Sequence, residues 1–274
     1  MAGNTENASG MSEEMTFWDH LDALRGVMLK AIAVFAAAAA ALFAFMPEIF
    51  NGVVLAPCRP EFATYRFLAR LASLWPGAFD APSTDFSVEL MNYQLASQFF
   101  IHMSMTCWLA LVLSFPVVIY IFWTFIKPGL YPRERRGATR AFLFGVVMFY
   151  LGVAVGYYLV FPLTVRFLSD YQLSELVPNV ISLDSYTDTF VTIVFLMGVV
   201  FELPLLAWLL GRMGLLTRNF FALYRRHAIV ALLVLAAVIT PTGDPFTLFA
   251  VFIPIYLLWE FSATLVPKSA PTDD

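Results

Sequence analysis

The stretch TDTFVTIVFLMGVVFELPLLAWLLG, residues 187–211, decides how the rest of the chain is read. It is long enough to cross a bilayer, which takes about 20 mostly apolar residues as helix. Yet a carboxylate, Glu202, stands near its middle. A charged side chain at that depth costs about 2.5–3.5 kcal/mol on insertion scales, and such residues are kept for a purpose. The surrounding composition agrees with a membrane setting. Of 274 residues, 60% are hydrophobic and 13% charged, and mean hydropathy is +0.77. A soluble domain is closer to half apolar and a quarter charged. The net charge of −4 therefore says less than where the charges lie.

Five further apolar runs accompany the first. The expected spans cover about 26–45, 97–122, 141–161, 185–210, 228–239 and 246–265, with Pro47 and Pro162 read as stops and Pro116 as a kink. The span at 228–239 is only about 12 residues, roughly 18 Å of helix, which calls for local bilayer thinning or immersed flanks. Lys127, Arg133, Arg135, Arg136 and Arg140 lie between spans two and three. Arg212, Arg218, Arg225 and Arg226 lie between spans four and five, and Arg25, Lys30 and Lys268 lie near the ends. Only Arg59, Arg66, Arg70 and Arg166 of the 16 basic residues fall on the other side. The positive-inside rule then places both termini in the cytoplasm. The expected organisation is a disordered polar start over 1–15, one all-α membrane domain over 16–266, and a cytoplasmic tail over 267–274. The start lacks the basic lead and short apolar core of a cleaved signal peptide, so it is expected to be retained. The loop from about Pro47 to Ala96 carries enough Pro, Gly and Trp to suggest a folded cap.

Two segments on the basic side can carry chemistry. MTFWDHLDALRG, residues 15–26, is an amphipathic stretch with Phe17, Leu21 and Leu24 at helical spacing and Trp18 suited to the headgroup boundary. Asp19, His20, Asp22 and Arg25 form its polar remainder. It reads either as an interfacial anchor or as a carboxylate-bearing site for a cationic ligand. FWTFIKPGLYPRERRGATR, residues 122–140, contains one carboxylate, Glu134, amid arginines. Glu134 either pairs with a neighbouring arginine or receives guanidinium groups from outside. A carboxylate suits the second role because two parallel hydrogen bonds match the guanidinium fork. The histidines His20, His102 and His227 are dispersed, and Cys58 and Cys107 match no metal spacing. No phosphate loop and no nucleophile elbow appear. The sequence points to no enzyme, cofactor, metal or nucleic acid. For Glu202, an internal hydrogen bond to Thr or Gln and a contact with a polar group on a partner helix both stay open.

HLDALR (20–25), FWTFIKPGLYPRER (122–135), YYLVFPL (157–163), VVFELPLL (199–206) and ITPTGDPFT (239–247), in this order and spacing, resemble the TatC family, the multispanning core of the twin-arginine protein translocase. The resemblance implies a concave, glove-like bundle of six transmembrane helices with both ends cytoplasmic, in a bacterial inner membrane. It implies recognition of signal peptides with two adjacent arginines on folded cargo, and export driven by the protonmotive force. It also implies self-association, small single-span partners of the TatA/TatB type and surrounding lipid. On the matching positions, Glu134 and Phe125, with His20 and Arg25, belong to the signal-peptide site. Glu202 and Gln98 are contacts for partner helices, and Pro57, Pro128 and Asp244 belong to structural or external-loop motifs.

One position departs from the family pattern His-Leu-x-Glu-Leu-Arg: Ala23 stands where the glutamate is expected. Asp22 is about 100° away around a helix and Asp19 one turn back, so either is expected to supply the missing charge. The alternative to the family reading is a proton-coupled solute transporter with Glu202 as its intramembrane proton carrier, which usually shows inverted repeats; none is visible here.

Overall fold

Apolar segments in lipid must satisfy every backbone N–H and C=O internally, and helix is what most of this chain forms. The computed structural model describes residues 17–74, 88–127, 132–174, 176 and 179–267. The expected disordered start, Pro128 and the tail beyond residue 267 lie outside these. Helix α1 runs Phe17–Ile49, α2 Ala63–Leu74, α3 Ser97–Ile126 and α4 Pro132–Val155. They are followed by α5, Phe161–Asp170, α6, Leu183–Val200, and α7, Leu203–Arg212. The last three are α8, Arg218–Leu223, α9, Arg225–Ile239, and α10, Pro245–Leu265. Two short strands, β1 (Leu90–Met91) and β2 (Ile181–Ser182), pair in parallel and join the loop before α3 to the one before α6.

Among the described residues five helical stretches are long and apolar enough to cross a membrane: Asp22–Leu74, Ser97–Phe125, Thr139–Asp170, Leu183–Arg212 and Pro245–Leu265. Helix α9, at 15 residues, is roughly 22 Å long and shorter than these. The expected stops at Pro47 and Pro162 do not stop the helix. Pro47 lies inside α1, and Pro162 lies in the first turn of α5, which continues directly from a π turn, so each removes one helical N–H donor. Both places adjoin π-helical turns, Phe50–Val54 and Gly156–Val160.

A π turn leaves carbonyls poorly matched, and side-chain donors take them up here. Tyr186 OH donates to Val54 O at 2.6 Å and Tyr157 OH to Val53 O at 2.8 Å. Thr64 Oγ1 donates to Tyr158 O. Tyr65 OH lies 3.0 Å from the carbonyls of both Pro57 and Pro162. The segment between α1 and α3 is thus clamped onto α5 and α6 through its π turn, a 3-10 turn at Ala56–Cys58 and α2. The chemistry is the general one for broken membrane helices, in which hydroxyls satisfy freed backbone groups.

The tightest helix seam lies between α4 with its π turn and the pair α6–α7. A Cβ placed on Gly152 would lie 2.5 Å from Met197 O, and one on Gly156 would lie 3.0 Å from Val194 Cα. On the facing side, a Cβ on Gly198 would lie 2.9 Å from Phe149 Cε2 and Val153 Cγ2. Between apolar helices in lipid, close backbone approach through small residues is a main source of attraction. The core beside this seam includes Phe149, Phe161, Ile193 and Met197, all buried, with Phe115 stacked on Phe149 at 3.7 Å between centroids. Helix α1 differs: only 6% of its apolar window is buried, and it packs mainly along α3.

Candidate functional site

Register along the antiparallel helices fixes which positions share a level. At the end opposite the basic one, His102 Nε2 lies 3.1 Å from Phe43 O, and the two rings are 4.2 Å apart. Counting down both helices from that contact at equal rise brings Asp22 level with Trp123, within a turn of Phe125. Helix α4 runs back along α3, with Trp123 stacked on Phe142 and Tyr150 OH bonded to Val112 O at 3.2 Å. The same count puts the first turn of α4, where Glu134 lies, just beyond the end of α3. The start of α1, the end of α3 and the start of α4 therefore meet at one end of the bundle. Asp22, Ala23 and Arg25 are exposed there, and Phe125 is half-buried and engaged in a contact. The backbone of Asp19 and His20 is helical. The stretches about Asp22, Phe125 and the first turn of α4 thus lie at one end of the bundle.

Glu202 occupies a different level. The α6–α7 span breaks at Phe201–Glu202, and Glu202 is the N-cap of α7 with Pro204 in the first turn. Its own cap is unused: the side chain makes no capping hydrogen bond. The carboxylate instead lies over Gly145 of α4, where a Cβ would come within 3.0 Å of Oε2 and 2.7 Å of Leu205 Cδ2. Oε1 is buried and accepts no hydrogen bond among the described residues. No internal bond to Thr or Gln occupies that oxygen, and a buried acceptor left this way costs about 1–3 kcal/mol. Gly145 is 11 positions from Glu134 on α4, roughly 17 Å along the helix.

Gln98 does not join Glu202. It is exposed in the first turn of α3 and lines a cavity of about 300 Å³ with Asn51, His102, Pro47 and Phe50. Its level is roughly 30 Å from that of Glu202 along the α3 axis. Pro57 is buried in the 3-10 turn, and its carbonyl receives Tyr65. Asp244 caps α10: Oδ1 accepts from Thr247 N at 2.7 Å and Oδ2 from Thr242 Oγ1 at 2.6 Å. Desolvation works to raise its pKa, but these hydrogen bonds outweigh it and hold the carboxyl below its usual range.

One polar cluster escaped the sequence reading. Arg225 Nη2 of α9 contacts Glu260 Oε2 of α10 at 2.8 Å, and Tyr256 OH donates to Glu260 Oε1 at 2.9 Å. The i, i+4 spacing of Tyr256 and Glu260 is a helical-face signal that could have found it. Among the described residues no group of His, Cys, Asp or Glu could hold a metal.

The family model described as Sec-independent protein translocase protein (TatC) matches residues 19–254. The chain belongs to the TatC family. A TatC described as a Sec-independent protein translocase protein, from Blattabacterium sp. subsp. Periplaneta americana, is 31% identical over 251 residues, covering 91% of this chain and 94% of that one. The TatC of Deinococcus radiodurans is 39% identical over 178 residues, 65% of this chain and 66% of that one. A crystal structure of the twin arginine translocase receptor TatC matches with a TM-score of 0.67 at 28% identity. That match covers 90% of this chain and 97% of that one. The all-α membrane architecture expected from the sequence is thus the TatC fold.

Proposed function

We infer that this chain is the signal-peptide receptor and core subunit of a twin-arginine translocase, exporting folded proteins across the membrane at the expense of the protonmotive force. The observation that carries the reading is its likeness to a twin-arginine receptor across nine-tenths of the chain. The solute-transporter alternative is not favoured by the relatives. An incoming peptide sets its two guanidinium groups against Glu134, beside Phe125, His20 and Arg25, with Asp19 or Asp22 replacing the carboxylate missing at Ala23. Its apolar segment follows along the helices. Charge-assisted hydrogen bonds contribute about 1.5–3 kcal/mol each, and lysine is a poorer ligand because it lacks the fork. Both termini face the cytoplasm of a bacterial inner membrane, and small single-span TatA/TatB-type subunits complete the assembly. Glu202, half-buried over Gly145, serves as a polar contact for such a partner helix.

Binding of a fluorescent twin-arginine peptide to the purified chain tests the reading, with a twin-lysine peptide as comparison. The arginine form binds tighter and Glu134→Ala abolishes the difference, while joint Asp19→Asn and Asp22→Asn replacement weakens it. Equal binding of both peptides to the parent chain refutes the receptor role. Unchanged binding in the double aspartate variant refutes only the replacement of the missing charge.

A further inference from the structure

At the basic end, beside the first turns of α4, the residues of α7, α8 and the end of α10 form a cleft of about 460 Å³ lined by Trp208, Arg212, Arg218 and the chain from Thr264 to Pro267. Its walls are fixed. A Cβ on Gly211 would lie 2.9 Å from Val266 Cγ1, and Val266 is buried with Ala207 and Phe221 in a small core of its own. Arg218 N donates to Pro267 O at 3.0 Å, tying the start of α8 to the chain leaving α10.

The cations are positioned as well. The Arg212 guanidinium lies 5.0 Å from the centroid of the Trp208 ring, and its Nη1 would stand 3.1 Å from a Cβ on Gly137 of α4. A place in the last turn of α7 suits one cation by the helix dipole, but it does not account for a second. Among the described residues neither Arg212 nor Arg218 is ion-paired, whereas Arg225 and Arg166 are. Two guanidinium groups at one cleft are a phosphate-binding arrangement, since the fork pairs with two phosphate oxygens. Below Arg212, Leu206 and Leu209 are exposed on α7, with Leu209 about 100° round the helix from Trp208.

We propose that this cleft binds the phosphate headgroup of an anionic glycerophospholipid, with Arg212 and Arg218 on the phosphate, Trp208 at the glycerol level and the acyl chains along α7. A lipid is favoured over free phosphate because the charged mouth opens onto an apolar, lipid-facing helix surface. Bound this way, the lipid staples α7 to α10 where their ends meet.

The test is native mass spectrometry of the full chain released from bilayers of phosphatidylcholine containing phosphatidylglycerol. The parent retains phosphatidylglycerol in preference to phosphatidylcholine. R212Q/R218Q removes both charge-assisted pairs to the phosphate and lowers that preference by about a hundred-fold. R226Q, which removes a charge from the neighbouring stretch outside the cleft, leaves it within about two-fold, and millimolar inorganic phosphate does not displace the lipid. Unchanged preference in R212Q/R218Q overturns the proposal, as does an equal loss in R226Q, which would indicate general surface charge. Displacement by inorganic phosphate overturns the lipid assignment. Circular dichroism checks that R212Q/R218Q is folded; should it not be, W208A supplies the same comparison through the stacked Arg212.

Discussion

Replacing Gly152 with alanine probes the seam that carries the central helices. The added Cβ would lie 2.5 Å from Met197 O and 2.7 Å from Phe201 Cβ and Cγ. The first of these is backbone and cannot swing aside. Restoring the contact to the 3.4 Å edge of ordinary van der Waals distance opens α4 from α6 by about 0.9 Å. A gap of that size forfeits a quarter to a half of the dispersion at each contact along the seam, including those at Gly145, Gly156 and Gly198. Overpacking of this kind costs about 1–3 kcal/mol, and a rigid backbone obstacle places G152A in the upper part of that range. Thermal unfolding of the purified protein in one detergent, followed by circular dichroism, measures it. Gly26 is the internal control: a Cβ there meets nothing within 4 Å, so G26A is neutral or slightly stabilising by helix propensity. If G152A melts with the parent, or G26A falls as far as G152A, close glycine packing does not hold these helices together.

Tyr186→Phe strands Val54 O, so stability falls by about 1–3 kcal/mol by the same unfolding measurement. Asp244→Asn weakens the cap of α10 and its pH dependence. The parent's folded pKa lies below its unfolded value, so the stabilisation is complete above about pH 4 and is lost as pH falls through the folded pKa. In melts run from pH 6 to pH 3, that component vanishes in the asparagine variant. Glu202→Leu removes the acceptor over Gly145; the chain still inserts, but co-purification of TatA/TatB-type subunits drops, and undiminished recovery would exclude a partner-contact role.

Much of the fold was legible because lipid leaves a chain few options. Long apolar runs must be helices, the arginines mark one side, and an interior glutamate announces itself. The motifs at 20–25, 122–135 and 199–206 carried the family. What the sequence did not disclose arises between elements. Pro47 and Pro162 looked like stops, yet the helix passes both, because His102 and Thr64 reach the carbonyls four residues back, Phe43 O and Tyr158 O. Nothing in the run YYLVFPL announces that Thr64 and Tyr65, far away in the chain, would satisfy its carbonyls. The glycines at 145, 152 and 156 recur near helical spacing, but only packing shows that they receive Glu202, Phe201 and Val194. The family resemblance made Gln98 and Glu202 both partner-helix contacts, and their separation along the bundle follows only from the register of α3 against α4.

The π turn at Gly156–Val160 divides a long rod into two parts that can be aimed separately. One surplus residue there rotates everything downstream by about 100° without breaking the rod. The α4 half can stay locked on its glycine seam while the α5 half keeps Pro162 facing the hydroxyl that reaches it. Excising a single residue from that turn would straighten the rod and swing α5 away from the cap, leaving the glycine seam where it was. Length changes at this spot are thus a route by which relatives could refit differently sized outer loops to an unchanged inner scaffold.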